Sequence, residues 1–304
     1  MIEFTGKFNF HGGKLMKINA YAKINLMLDI LKRTEDGYHT LFMIMQSVGI
    51  YDEITVATGG RKGSVTLTCS NESLPCDKKN IAYKAACRFF EYTGIENPGI
   101  KIHIEKHIPF AAGLAGGSAD GAAVIMGLDR ILGTSLPIEE LCKIGALVGA
   151  DVPFCLKGGT MAAMDIGEVL APLPPLENVF FVLVKPHQDV STKEAYDAFD
   201  SAVGIRHADR DGIVRALATG NNKKMYSLIQ NVFEQFVEVP ERIEIKACMR
   251  KYGAAASCMS GSGPTVYGIF ESEISARSCA NELSKKFEEV FVCEPKKSGL
   301  EVTE

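Results

Sequence analysis

The chain lacks the marks of several large protein classes. No apolar run approaches the roughly 20 residues a membrane helix needs. Residues 1–15 have neither a continuous apolar core nor a cleavage site, so they do not read as a secretory signal. The nine cysteines are an odd number and form no C-x-x-C pair, which excludes zinc-site spacing and a disulfide framework. They fit the reduced, mostly buried thiols of a cytoplasmic protein. Excess positive charge is missing too. A net charge of −4 argues against a general nucleic-acid binder and leaves any anionic substrate to a local cluster of cations and backbone N–H groups. The common nucleotide signatures are absent as well: there is no G-x-x-x-x-G-K-[ST], and no H-R-D or D-F-G set.

What is present can fold. With 304 residues and 46% hydrophobic content, the chain can bury a substantial core in one large or two moderate domains. Regular structure is expected from Met16, a candidate start, with residues 1–15 a poorly ordered extension. Over residues 17–30 the alternation is that of a strand: Ala22, Ile24, Leu26, Leu28 and Ile30 share one face, Lys23, Asn25, Met27 and Asp29 the other. Lys23 and Asn25 therefore stand side by side, about 6–7 Å apart, on a face that is either solvated or the wall of a site. A charged turn follows and ends in Tyr38-His39, a pair able to stack on and hydrogen-bond a flat ring. Residues 47–56 and 64–69 read as further strands, and Asn80 caps an amphipathic helix over Ile81–Thr93 that Gly94 ends. His103 and His107 flank Glu105 on a strand, without the helical H-E-x-x-H spacing of a zinc site.

The centre of the chain is Pro109-Phe110-Ala111-Ala112-Gly113-Leu114-Ala115-Gly116-Gly117-Ser118-Ala119-Asp120. It joins a strand carrying Ile100, Ile102 and Ile104 to an apolar helix closed by Gly133. Small residues let backbone N–H groups approach an anion, and a helix start favours negative charge, so the loop reads as a phosphate cradle. The same composition also serves packing alone. Ser118 is placed either to cap the helix or to offer its hydroxyl to a phosphate-bound cation. Downstream, Asp151 precedes Val152-Pro153, where it is either the N-cap of a short helix or an acid available for chemistry. Pro172, Pro174 and Pro175 mark a domain boundary near residues 167–175. Thr192 and Tyr196 lie one helical turn apart on one face. Residues 260–264 form a glycine turn between two strands.

The pattern P-x-x-x-G-L-x-G-G-S-A resembles the glycine-rich motif of the GHMP kinases, those of galactose, homoserine, mevalonate and phosphomevalonate. Together with Ala22-Lys23-Ile24-Asn25-Leu26 and Asp36-Gly37-Tyr38-His39, it is similar to the branch acting on a cytidine diphosphate sugar alcohol in non-mevalonate isoprenoid synthesis. The match runs from residue 16 to the C-terminal strands. It implies an α+β, two-domain GHMP kinase fold: a ribosomal protein S5 domain 2-like N-terminal domain over 16–170, a ferredoxin-like C-terminal domain over 171–304, and the active site between them. It further implies transfer of the ATP γ-phosphoryl group to the substrate's 2-hydroxyl by a monomer or weak homodimer. Asp151 would be the base, Lys23 its partner, and Mg²⁺ a bridge between phosphate oxygens, with no metal site of the protein's own named. Residues 109–119 and Asn80 would meet the nucleotide; Asn25, Tyr38, His39, Thr192 and Tyr196 would meet the substrate. Three positions depart from the pattern: Ala115 stands where many relatives have Gly, Ala119 where many have Ser, and Gly121 where many have Ala. A sister kinase of homoserine or mevalonate would share the loop and Asp151 but have no use for Tyr38, His39 and Tyr196 as a base clamp. A nucleotide- or RNA-binding module would need no base at all.

Overall fold

A computed structural model describes residues 13–34, 37 and 39–304. Residues 1–12 of the expected extension, and Tyr38, lie outside the described residues. The chain is already tied down just before Met16. Leu15 pairs with Ala57, and Lys14 donates from its backbone to Thr58 and from its ammonium to the Ile131 carbonyl.

Strands β1 (Leu15–Arg33) and β2 (His39–Thr58) form a long antiparallel hairpin. Its register shifts between Tyr21 and Ala22 and again between Asn25 and Met27, so two irregularities flank Lys23 and Asn25. Such breaks in the ladder re-aim side chains. Then come β3 (Val65–Cys69), α1 (Ile81–Thr93), β4 (Ile100–Glu105), α2 (Gly116–Leu132), α3 (Ile138–Ala146), α4 (Val152–Lys157), β5 (Thr160–Asp165) and β6 (Val169–Pro172). One half of β2 pairs with β4, the other with β5. Helix α1 has the expected ends: Asn80 Oδ1 accepts from the Ala82 amide at 2.9 Å, and Gly94 adopts the left-handed conformation at φ 68°.

The rest of the chain runs β7 (Phe180–Lys185), α5 (Thr192–Asp200), α6 (Arg210–Ala218), α7 (Asn222–Leu228), β8 (Gln230–Asn231), α8 (Arg242–Lys251), β9 (Ala256–Met259), β10 (Val266–Phe270), α9 (Glu273–Leu283), β11 (Glu289–Cys293) and β12 (Leu300–Val302). Strands β11, β7, β10 and β9 make a second, wholly antiparallel sheet. Period two divides its side chains. Val182, Val184, Val266 and Phe270 join a core with Ile245 of α8 and Cys279 of α9, while Phe181, Leu183, Tyr267 and Ile269 join the core of the first sheet. β8 and β12 both return to β1, so the C-terminal half clasps the first strand.

That clasp settles which face of β1 meets water. Ile24, Leu26 and Ile30 are buried, but so are Lys23, Asn25 and Asp29 on the opposite face. The Asn25 carbonyl accepts from the Tyr267 hydroxyl at 2.9 Å, so the cover comes from β10. A solvated strand face is thereby excluded. No helix among the described residues is long and apolar enough to cross a membrane.

Candidate active site

Asp151 stands at the start of α4, whose entry is set by Pro153 in its first turn. Its carboxylate makes no capping hydrogen bond, which removes the purely structural account of this residue. The side chain is 30% exposed and its Oδ2 lies 3.8 Å from the Nζ of Lys23, which is only 5% exposed. Lys23 Nζ also donates to Asn25 Oδ1 at 2.8 Å. Asn25 in turn locks three elements together. Its backbone N–H donates to Ser260 Oγ at 3.3 Å, its side-chain Oδ1 accepts from the Gly261 N–H at 3.0 Å, and Ser260 Oγ donates to the Gly113 carbonyl at 2.9 Å. First strand, glycine cradle and 260–264 turn thus meet at one buried asparagine. Asn25 is a strut of the site and is not itself among the residues that line the cavity.

A cavity of about 400 Å³ opens between them. Lys23, Gly113, Ala115, Ser118, Asp151, Thr192 and Tyr196 all line it. Thr192 and Tyr196 do share a face of α5, and Thr192 Oγ1 lies 2.9 Å from Ser262 Oγ of the glycine turn.

The cradle is built differently from the simplest reading of its small residues. Gly113 has φ +73°, and a Cβ there would stand 2.2 Å from the Ser260 carbonyl oxygen, so this glycine allows two loops to touch. Ala111 and Ala115 take left-handed φ values of 51° and 58°, at a cost of about 1–2 kcal/mol each for a residue with a Cβ. Ala115, one of the three departures from the motif, is the N-cap of α2. Ser118 is therefore not the cap; it is the third residue of the first turn and lines the cavity. Gly117 and Gly121 are small for another reason: a Cβ on them would meet Ile81 of α1 at 3.2 and 2.9 Å. Pro109, Ala112, Leu114 and Ala119 are buried behind the loop, while Phe110 is 62% exposed beside it. Asn80 is occupied as the α1 cap and by a bond to the Pro75 carbonyl, and it does not line the cavity.

A second recess of about 350 Å³ shares Leu41, Ala150, Ile166 and Tyr196 with the first. His39 lines it, stacked on Tyr196 with ring centroids 4.8 Å apart and planes 25° from parallel. Phe233 supports Tyr196 edge-on at 5.2 Å. Burial, aided by the charge of Asp151, pushes the Tyr196 hydroxyl up to about 12, so it remains a neutral donor.

Sequence reasoning missed a second cluster beneath the cradle. Lys106 pairs with Asp52 and, at 3.0 Å, with Asp120. Asp52 also accepts from the His107 and Ile108 amides at 2.7 and 2.8 Å, which pins the chain as it enters the loop. Burial drives the Asp120 carboxyl well above its usual range; Lys106 opposes this and Asp52 adds to it. Burial alone would lower Lys106, but the two carboxylates raise it. The available signal was Asp120 among small and apolar residues; Asp52, next to Glu53, carried none.

The GHMP kinases N terminal domain matches residues 80–159, and the GHMP kinases C terminal domain matches residues 209–289. The 4-diphosphocytidyl-2-C-methyl-D-erythritol kinase of Clostridium tetani is 41% identical over 280 residues, which cover 91% of this chain and 99% of that protein. A crystal structure of 4-(cytidine 5'-diphospho)-2C-methyl-D-erythritol kinase superposes with a TM-score of 0.76 at 30% identity, over 92% of this chain and 99% of that one. Homoserine kinase from Cytophaga hutchinsonii superposes with a TM-score of 0.77 at 22% identity over the full length of both chains, a likeness of fold. The chain belongs to the GHMP kinases, and within them to the 4-diphosphocytidyl-2-C-methyl-D-erythritol kinases.

Proposed function

We propose that this chain transfers the γ-phosphoryl group of ATP to the 2-hydroxyl of 4-diphosphocytidyl-2-C-methyl-D-erythritol, a step of non-mevalonate isoprenoid precursor synthesis. The observation that carries this reading is the uncapped Asp151 carboxylate, paired with buried Lys23 and open to a cavity walled by the start of α2. A hydroxyl is a weak nucleophile at neutral pH. Asp151 accepts its proton as the bond to phosphorus forms, and Lys23 offsets the negative charge that gathers on the transferring group. The free amides of the first turn of α2 bind phosphate oxygens along the helix dipole. Among the described residues no group of three or more His, Cys, Asp or Glu side chains is arranged to hold a metal. Asp151 is the one carboxylate lining the cavity, with Ser118 beside it at the start of α2, which suits Mg²⁺ carried mainly by phosphates and water. When bound, that ion neutralises charge on the phosphates. Thr192 and Tyr196 line the acceptor side, and His39 and Tyr196 form an aromatic recess for the cytosine. The reading divides the chain at residues 170 and 171, with β12 crossing back to the first sheet.

The choice of acceptor follows the names of the relatives at 41% and 30% identity. Purified protein should consume ATP fastest with the cytidine compound in a panel that also holds homoserine and mevalonate. Faster turnover of either of those two would leave the kinase chemistry standing and overturn the acceptor.

A further inference from the structure

We propose that Asn231 is a positioning residue for the phosphoryl transfer: its side-chain amide clamps the 260–264 turn and, through Gly261 and Asn25, holds the Lys23 ammonium beside Asp151. The inference rests on the function proposed above, because it concerns how the Lys23–Asp151 pair of that reaction is kept in place.

Asn231 ends β8 and is buried, and it does not line the cavity. The clasp on β1 sets its place: it pairs with Leu28, just past the register shift between Asn25 and Met27. Its side chain is used on every side. Nδ2 donates to the Met259 and Gly261 carbonyls, both at 2.8 Å, and Oδ1 accepts from the Phe233 N–H at 3.0 Å, capping a short 3-10 turn over Val232–Gln235. Two carbonyls on one side and an N–H on the other admit a single orientation of the amide. From the same turn, Glu234 Oε1 accepts from the Met259 N–H at 2.7 Å, and its second oxygen accepts from Lys246 at 2.6 Å. The backbone is thus gripped on both sides of the peptide that links Ser260 to Gly261. The N–H of that peptide donates to Asn25 Oδ1 at 3.0 Å, and the same oxygen accepts from Lys23 Nζ at 2.8 Å. Turning the Asn25 amide over would set its own N–H groups against two donors, so a fixed Gly261 fixes Asn25, and Asn25 fixes Lys23. What remains of the ammonium's surroundings is Asp151, 3.8 Å away on the open side. Loosening the turn frees this chain of contacts without removing any group that lines the cavity.

The test is a double-mutant cycle on kcat, at saturating ATP and cytidine compound, with N231A, N231D, N25A and the two double variants, their folding checked by circular dichroism. N231D keeps an acceptor for the Phe233 N–H but sets a carboxylate against two carbonyl oxygens, so both changes at this position release the clamp. Each should lower kcat by about 10- to 100-fold, the scale of a misplacement of about 1 Å, while KM for ATP moves less than about threefold. Added to N25A, either change should cost less than about twofold more, because the two residues act on Lys23 in series. Hydrogen exchange gives a readout besides turnover: the Gly261 amide should exchange at least about 10-fold faster in N231A, while Gly127, buried within α2, keeps its protection. Unchanged kcat in both folded variants overturns the role of Asn231, as do losses that simply add to that of N25A. Equal deprotection of Gly261 and Gly127, or failure of both variants to fold, makes Asn231 a residue of general stability and overturns it too. If wild type does not turn over the cytidine compound, the proposed function falls, and the exchange of Gly261 alone decides the clamp.

Discussion

Beside the glycine loop the chain brings lysine to aspartate twice, and the two meetings are built to opposite ends. Lys23 lies 3.8 Å from Asp151, whose carboxylate is 30% exposed and makes no capping bond. Lys106, Asp52 and Asp120 are sealed, at 8%, 0% and 5% exposure, and Asp52 is saturated by the ammonium and two backbone amides. A carboxylate that takes a proton from a substrate must keep lone pairs free toward the cleft. One that holds a loop in place must use them up. Both clusters touch the cradle: the Lys23 amide donates to the Leu114 carbonyl at 3.0 Å, and a Cβ on Gly116 would stand 3.2 Å from the Lys106 ammonium. Chemistry and scaffold are thus separated by access to water rather than by residue type.

The largest effect expected is at the open pair. Asp151→Asn keeps shape but cannot accept a proton, so turnover should fall by about 10²- to 10⁴-fold in steady-state assays, with a thermal midpoint close to wild type. Near-normal turnover would reduce Asp151 to a helix-start residue and dissolve the contrast. At the sealed cluster the order reverses. Lys106→Met strands buried carboxylates and should cost about 3–5 kcal/mol of stability, read by urea denaturation. The fraction that stays folded should keep most of its kcat. A variant that unfolds at wild-type urea but loses turnover would move Lys106 from scaffold to chemistry.

A third substitution attacks the joint between the two loops. Gly113→Ala meets both a φ of +73° and a carbonyl oxygen 2.2 Å from the new Cβ. The strain should cost about 1–3 kcal/mol and raise KM for ATP, because the cradle cannot keep its backbone path. Unchanged nucleotide affinity would show that contact with the 260–264 turn does not shape the cradle.

Local features were legible in the sequence. Helix α1 has the ends that capping predicts, strand β4 buries the alternating Ile100, Ile102 and Ile104, and the Lys23 and Asp151 motifs announce the open pair. What escaped depends on distant partners. The polar face of β1 alternates like a solvated strand, yet its cover comes from Ser260, Gly261 and Tyr267, more than 200 residues on. His39 reads as a free base-reader until Asp200, 161 residues away, is seen on its Nε2. Gly121 looks like a helix defect worth about 1 kcal/mol. The side chain of Ile81, 2.9 Å from where a Cβ would lie, shows it to be a packing requirement between α1 and α2. No periodicity encodes such pairwise meetings.

The smallest effect expected is a change of slope, again inside the sealed cluster. Burial, with Asp52 adding and Lys106 opposing, holds the folded Asp120 carboxyl well above its ordinary value of 3.8. The folded state then binds a proton more tightly than the unfolded chain does. The contribution of Asp120 to stability is therefore full below about pH 3.8 and is lost as pH rises from there through the raised folded value. Asp120→Asn cannot ionise, so it removes this loss. Its amide oxygen can keep the place of Oδ2, which sits 3.0 Å from Lys106, and Oδ1 has no partner to forfeit. Denaturation at a series of pH values should thus show the variant gaining on wild type as pH rises from 4 toward 8, with the two closest at the acid end. The opposite trend, wild type gaining on the variant as pH rises, would mean that Asp120 is a stabilised anion of Lys106. The sealed cluster would then be a second charged pair like the open one, distinguished only by depth.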